Sequence, residues 1–194
     1  YSSMCLAVLL SKVGVDFSII RYFPISDKNR VYNTSMTVTI LISIIVGIIF
    51  IAWSLHSSQD LKDHISINIA ILFIFVIISN VITNLTGITF TALRKSEYYF
   101  IQNLMVSSKI LIIFLLIDFG AMGIFGSLGL SFILAAILSF YLIARTGIIQ
   151  KITIDWKYLS DSFRYSVGNY LVGLFQISPN LIIPIMVLDL LGAV

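Results

Sequence analysis

The chain of 194 residues is 59% hydrophobic and only 11% charged, and its mean hydropathy is +1.04. Soluble domains carry roughly 25% charged residues, so this composition excludes an ordinary water-soluble fold and predicts a membrane protein. The net charge of +3 is spread over several segments, which argues against nucleic-acid binding and makes the anionic headgroups of membrane lipids the expected partner.

Long apolar stretches follow one another along the chain, and each predicts a membrane-spanning helix, because a span needs about 20 mostly apolar residues. In chain order we expect the end of one helix at 1–20, helices at 34–55, 65–93 and 104–119, a helix that ends at Arg145, and a last helix at 167–188. Aromatic and charged residues mixed at 155–164 predict a short helix at the headgroup level. The predicted fold is therefore an all-α, polytopic integral membrane protein with about six transmembrane helices.

The lysines and arginines are distributed unevenly between the gaps that separate these stretches. Nine of the twelve lie in every second gap: Arg21, Lys28, Arg30, Arg94, Lys95, Arg145, Lys151, Lys157 and Arg164. Cytoplasmic loops retain Lys and Arg, whereas short exported loops are poor in them. We therefore expect the basic gaps to face the cytoplasm and the gap at 56–64 to face outward.

Small residues recur every four positions in two of the expected spans. One series is Ser35, Thr39, Ser43 and Gly47, and the other is Ser127, Ser131, Ala135 and Ser139. Helices in lipid approach one another through small side chains, so both series predict helix–helix contacts. Four glycines also surround one turn between spans, where we expect a tight outer hairpin. They are Gly120, Gly123, Gly126 and Gly129.

Amide side chains inside the expected spans are the first candidates for a site. One helical face carries Asn80, Thr83, Asn84, Gly87 and Thr91, spaced at i, i+3, i+4, i+7 and i+11. The last span repeats the pattern with Asn169, Gly173, Gln176 and Asn180. Such residues either form interhelical hydrogen bonds or line a water-filled cavity, and the sequence leaves both interpretations open.

Two lysines lie within expected spans, where a Lys at a helix centre costs roughly 2.5–3.5 kcal/mol on insertion scales. Lys109 stands about six residues into its span. Lys12 is followed at i+4 by Asp16, which provides a local counter-ion. Each lysine either extends its long stem to the cytoplasmic interface or faces a central cavity, where it would attract an anionic substrate.

Enzyme and cofactor signatures are missing from the sequence. It contains no Walker A, Gly-x-Ser-x-Gly or Gly-x-Gly-x-x-Gly motif. His56 and His64 stand eight residues apart without an evident third ligand, and the one cysteine, Cys5, provides no thiolate cluster. We therefore expect neither an enzyme nor a bound cofactor or metal ion.

Several segments resemble parts of a transporter family in the same order. They are SKVGVD at 11–16 with RYFP at 21–24, TALRKSEYY at 91–99, IDWKYL at 154–159 with SFRYS at 162–166, and LDLLGA at 188–193. These look like the second helix end with its loop, the fourth-to-fifth loop, the connection into the seventh helix, and that helix's outer end. The family is the polysaccharide-export flippases of the multidrug/oligosaccharidyl-lipid/polysaccharide superfamily. Its members often place Pro at the start of the seventh helix, and SVGN at 166–169 has none.

The resemblance implies a MATE-like transporter of twelve or more helices, arranged in two bundles around a central cavity. This chain would be an internal fragment. Residues 1–150 would supply the second helix end through the sixth helix, most of the N-terminal bundle. Residues 151–194 would supply the amphipathic connector and the seventh helix, which starts the C-terminal bundle.

The resemblance also implies a function. Such a flippase moves a polyprenyl-diphosphate-linked oligosaccharide across the bacterial cytoplasmic membrane by alternating access, for surface polysaccharides such as O-antigen or capsule. It uses no nucleotide, and other polysaccharide-assembly proteins are expected partners. Lys12 and Lys109 would meet the diphosphate. The amides expected to bind sugar hydroxyls are Asn80, Asn84, Asn169 and Gln176.

Two other functions compete with this one. The first is a multidrug or small-molecule cation antiporter of the same superfamily, which usually needs a protonatable acid in its cavity. Asp118 and Asp189 lie near outer helix ends and Asp16 stands beside Lys12, so the sequence favours an anionic substrate. The second is a membrane-embedded polysaccharide polymerase, which ordinarily carries a large loop that this chain lacks.

Overall fold

The computed structural model describes residues 2–57 and 67–191. The helices are α1 (Ser2–Lys12), α2 (Val15–Tyr22), α3 (Lys28–Ser57), α4 (Ile67–Ala92), α5 (Ser96–Ser107), α6 (Lys109–Leu115), α7 (Gly120–Arg145) and α8 (Trp156–Leu191). Most of the described residues are helical and none lies in a strand, so the all-α prediction is confirmed. Most of the gap at 56–64, with Lys62 and His64, lies outside the described residues.

Four helices are long and apolar enough to cross a membrane: Lys28–Trp53, Ile69–Ala92, Ser96–Leu115 and Met122–Arg145. If the bent pair α1 and α2 counts as one broken span, the number of candidate spans among the described residues rises to five. These are the elements that a polytopic membrane protein requires. The sequence predicts a further span within α8, and the total of about six in a MATE-like arrangement stays a prediction.

The outer surface of α5 and α6 fits a lipid environment. Phe100, Leu111, Phe114 and Leu115 are between 67% and 79% exposed. In water, a continuous apolar surface of this kind would promote aggregation. In a bilayer the same side chains face acyl chains, and only the faces that pack on other helices need to be buried.

Both series of small residues lie at helix contacts, as the sequence predicts. Ser35, Thr39 and Ser43 on α3 have no exposed surface. On α7, Ser131, Ala135 and Ser139 are equally buried. The hydroxyls of Thr39, Ser43, Ser131 and Ser139 donate to backbone carbonyls of their own helices, as Ser139 Oγ does to the Ala135 oxygen at 2.6 Å. The Ser35 hydroxyl instead pairs with the Tyr158 hydroxyl of α8 at 3.2 Å. These polar groups are therefore satisfied without water, and neighbouring helices can approach closely.

The expected hairpin between the last two long spans is also confirmed. A single 3₁₀ turn, Ile117–Phe119, leads into Gly120, whose φ is +57°. A Cβ at Gly123 would lie 1.9 Å from the Leu116 carbonyl oxygen. Only glycine allows this contact between the turn and α7.

α1 and α2 are separated by a break at which the backbone turns left-handed. Val13 has φ +44° and Gly14 has φ +77°. A Cβ at Gly14 would lie 2.3 Å from the backbone oxygen of Ser166 in α8. Glycine is needed here both for its backbone angle and for the close approach of α8.

The expected short headgroup helix at 155–164 is not separate from the last span. α8 runs without interruption from Trp156 to Leu191. The residues at i, i+4 and i+8 of its first part, Tyr158, Ser162 and Ser166, are each at most 4% exposed. That face packs on the bundle, and the prolines of α8, Pro179 and Pro184, lie farther along the helix.

The predicted span at 104–119 also begins earlier than expected. α5 starts at Ser96, and the helix breaks after Ser107 so that Lys109 begins α6. The first turns of α5 contain polar residues, and a span that is located by counting apolar residues therefore begins too late. Lys109 therefore lies past the middle of the Ser96–Leu115 span and not near its cytoplasmic end.

The connector at residues 148–155 is hydrogen-bonded to the start of α3. The amide nitrogen of Ile149 donates to Asn29 Oδ1 at 2.8 Å, and Asn33 Nδ2 donates to the Ile149 carbonyl at 2.8 Å. Farther along, Arg30 Nη2 donates to Asp155 Oδ1 at 2.7 Å. These bonds bring the basic segments 21–30 and 145–164 to the same end of the bundle.

Candidate functional site

A polar cavity of about 420 Å³ lies between α1, α4 and α5. The other contributions to its wall are Phe132 from α7 and Ile177 from α8. The cavity approaches the end of the bundle that carries the basic segments, since Thr91 lies beside the last residue of α4 and Tyr99 lies in the first turns of α5.

α4 supplies the longest polar strip of the wall. All five residues of the face identified in the sequence line the cavity: Asn80, Thr83, Asn84, Gly87 and Thr91. Asn84 Nδ2 donates to Asn80 Oδ1 at 2.6 Å and to the Asn80 carbonyl at 2.9 Å. The two amides therefore orient each other. This face lines the cavity, and one of its residues, Thr83, also accepts an interhelical hydrogen bond from Gln102.

Lys12 brings a positive charge to the opposite wall. It is the last residue of α1, and its side chain is 17% exposed. Its Nζ lies 3.4 Å from Asp16 Oδ2, across the break between α1 and α2. Asp16 itself does not line the cavity. The ion pair therefore compensates the charge of the lysine without placing a carboxylate on the cavity wall.

Gln102 on α5 connects three helices behind this wall. Its Nε2 donates to the Thr83 carbonyl at 2.8 Å, to Thr86 Oγ1 at 2.6 Å and to Ser139 Oγ at 2.6 Å. The residue is 1% exposed and yet lines the cavity. The position of α5 relative to α4 and α7 is thus held by a polar side chain within an apolar bundle.

Three of the six residues predicted for the site meet at this cavity, namely Lys12, Asn80 and Asn84. The other three lie elsewhere: Lys109 at the start of α6, Asn169 bonded through Nδ2 to the Tyr165 carbonyl at 2.9 Å, and Gln176 on an exposed part of α8. Their predicted contact with a substrate stays a prediction.

The sequence interpretation missed three polar residues of the wall, Tyr99, Gln102 and Asn103. They were overlooked because the span was placed from residue 104 onward. One signal was available: a helix that begins at Ser96, with the acidic Glu97 in its first turn, places an amide within the membrane at Gln102.

The wall combines one cation with several amides and hydroxyls. No aspartate or glutamate of the described residues lines it. Such a surface favours anions through Lys12 and offers hydrogen bonds to neutral polar groups through the amides.

Comparisons of the chain with protein-family models, with curated proteins and with solved structures find no match.

Proposed function

We propose that this chain forms part of a flippase of the polysaccharide-export type. It would carry a polyprenyl-diphosphate-linked oligosaccharide across the bacterial cytoplasmic membrane by alternating access. The product would serve the biosynthesis of a surface polysaccharide such as O-antigen or capsule. This proposal rests on the cavity and on the resemblance of the sequence segments.

The observation that carries the proposal is a lysine on the wall of a polar cavity between apolar helices. Placing a lysine in this position is costly in a membrane, and its carboxylate partner, Asp16, is outside the wall. A diphosphate carries more negative charge than one carboxylate, so it can compete with Asp16 for Lys12. The amides of Asn80 and Asn84 then lie where the sugar part would enter.

The same wall argues against the cation antiporter. Cation-coupled export of drugs usually needs a protonatable acid in the cavity, and the described part of the wall presents none. Asp118 is exposed in the 3₁₀ turn at the far end of the span that begins at Ser96. An anionic substrate therefore fits the charge of the cavity better than a cationic one.

Replacing the lysine tests the proposal. In the full-length protein, Lys12→Gln should lower the rate at which a fluorescent polyprenyl-diphosphate oligosaccharide is flipped in proteoliposomes by roughly tenfold or more, because charge-assisted hydrogen bonds are the strong ones. Lys12→Arg should retain much of the activity. Lys157→Gln, at an exposed residue outside the cavity, removes the same charge as a control.

Two results would contradict the proposal. One is a Lys12→Gln protein that flips the substrate at the wild-type rate. The other is a wild-type protein that transports cationic dyes but not the lipid-linked oligosaccharide. Lys109→Gln, measured in the same assay, decides whether Lys109 belongs to the site. From its place at the start of α6, we expect a smaller loss than for Lys12→Gln.

A further inference from the structure

The orientation of the Gln102 amide follows from its three partners. The Thr83 carbonyl, 2.8 Å away, can only accept a hydrogen bond. The hydroxyls of Thr86 and Ser139 donate their own hydrogens to the carbonyls of Ile82 and Ala135. All three partners are acceptors toward Gln102, and the two hydrogens of its amide nitrogen are shared among them, so the amide oxygen points away from them.

The oxygen points toward the cavity wall at Gly87. A Cβ built on Gly87 would lie 3.0 Å from Gln102 Oε1 and 2.8 Å from Tyr99 Cε2. Both Gly87 and Tyr99 line the cavity. The oxygen and the Tyr99 ring therefore pack closely on Gly87, where an added methyl group would crowd both.

No described residue donates a hydrogen bond to this oxygen. None of the hydrogen bonds among residues 2–57 and 67–191 is donated to Oε1, although Gln102 is 1% exposed. Asn80 Oδ1, by contrast, already accepts from Asn84. Oε1 does not belong to the enclosed side-chain atoms that lack a partner, and Gln102 lines the cavity, so a ligand there can reach the oxygen and donate to it.

We propose that Gln102 Oε1 accepts a hydrogen bond from a hydroxyl group of the ligand, and that the lack of a side chain at Gly87 leaves the oxygen uncovered for this bond. This deepens the proposed function, since it takes the same cavity as the ligand site. Gln102 is then a specificity-determining residue: it selects ligands that carry hydroxyl donors, whereas Lys12 selects for negative charge. The apolar ring of Tyr99 suits the C–H face of a polyol next to that oxygen.

The test blocks the oxygen without touching the bonds of the amide nitrogen. Gly87→Ala places a methyl group in front of Oε1 and leaves Thr83, Thr86 and Ser139 in place. Tyr99 must shift, which its 45% exposure allows. The better helix propensity of alanine offsets part of this crowding, and the unfolding temperature of the variant is measured first, so that probe binding is compared between folded proteins. Gly168→Ala is the matched control, because nothing lies within 4 Å of its added Cβ.

Cys5 provides the readout, because it is a free thiol on the same wall. Full-length protein in lipid nanodiscs is treated with N-ethylmaleimide, and labelling of the Cys5 peptide is followed by mass spectrometry. Octyl glucoside, below its micelle concentration, is the neutral hydroxyl-bearing probe. Its permethylated form has the same core but no O–H donor.

Octyl glucoside should protect Cys5 in the wild type at a lower concentration than the permethylated probe. In Gly87→Ala its half-protecting concentration should rise roughly three- to tenfold, the effect of one lost hydrogen bond, and approach that of the permethylated probe. Gly168→Ala should keep the wild-type difference. The two probes are also compared in a Tyr99→Ala protein with and without Gly87→Ala. Because the ring is then absent, any remaining effect of Gly87→Ala comes from blocking of the oxygen and not from movement of the ring.

Equal protection by both probes in the wild type would overturn the assignment, and so would a Gly87→Ala protein with unchanged protection by octyl glucoside. The proposed flippase fails separately. If octyl glucoside protects Cys5 but a polyprenyl diphosphate does not, the acceptor role of Gln102 stands and the lipid-linked substrate is wrong.

Discussion

Asp155 shows how a single side chain fixes the connector between the bundle and α8. Its carboxylate accepts from Arg30 Nη2 at 2.7 Å and from the amide nitrogen of Tyr158 at 2.9 Å. The hydrogen bond from Arg30, followed by the one from Tyr158, holds the pKa of Asp155 below its usual value. Because the pair is about one third exposed, solvent screens it, and its contribution to stability is small.

Because the pKa of Asp155 is lowered in the folded protein, its contribution to the stability of the protein should decrease at acidic pH. The stabilisation by Asp155 is complete above the ordinary pKa of an aspartate and is lost as the pH falls through the lowered value in the folded protein. Asp155→Asn should therefore unfold at a lower temperature than the wild type at pH 7, and the difference should shrink as the pH falls below the ordinary pKa of an aspartate, about 4.

Thermal unfolding of the detergent-solubilised protein at several pH values measures this difference. Asp161→Asn is the control, because only the backbone oxygen of Asp161 accepts a bond, from the Tyr22 hydroxyl at 2.9 Å. It should unfold like the wild type at each pH. A gap between Asp155→Asn and the wild type that stays constant down to pH 3 would contradict the role given to the ion pair.

At the scale of elements, small residues decide how closely the long helices pack. α4 and α7 meet where Gly129 faces Val76, and a Cβ at Gly129 would lie 2.7 Å from Val76 Cγ2. Val76 is fully buried, so it cannot move aside. Helices in lipid gain their contact energy from such close packing. Residue 129 should therefore tolerate a larger side chain less well than its neighbours in the sequence indicate.

Gly129→Ala should therefore destabilise the protein by about 1–3 kcal/mol, as overpacked cores do. Gly126→Ala is the matched control on the same helix, because its Cβ would lie an ordinary 3.6 Å from Leu116 Cδ1. It should be neutral or slightly stabilising through helix propensity. Unfolding by SDS in mixed micelles compares the two. Equal stabilities would show that α4 and α7 are not packed through Gly129.

At the scale of the whole molecule, the basic segments gather at one end of the bundle. The connector bonds join the segment at 21–30 to the segment at 145–164, and the contact of Gln102 with Ser139 sets α5 antiparallel to α7 near the same end. Positive charge retained on one side is typical of the cytoplasmic face. The end with Asp118 would then face outward.

Labelling of introduced cysteines tests this orientation in intact cells. Ser96→Cys and Asp118→Cys place exposed thiols at the two ends of the same span. A membrane-impermeant maleimide should label residue 118 in intact cells, and residue 96 only after the membrane is permeabilised. Labelling in the reverse pattern would invert the topology and place the cavity mouth outside.

The class of the protein, the approximate spans and the polar face of α4 follow from the sequence alone. Hydropathy and helical spacing are local properties, because each residue's position on its own helix is fixed by 3.6 residues per turn. The three series at 35–47, 80–91 and 127–139 could therefore be assigned to buried or cavity faces before any contact was known.

The partners of those faces were decided only by tertiary structure. Lys12 and Lys109 are similar in sequence terms, but only Lys12 reaches the cavity, because α1 packs beside α4 and α6 does not contribute to the wall. Gln102 was missed because its role depends on Thr83 and Ser139, which are distant in the chain. The number of basic residues in the alternate gaps, nine, is enough to predict the orientation of the protein in the membrane. A binding site, in contrast, depends on which helices meet, and that is set by packing between segments that are distant in the sequence.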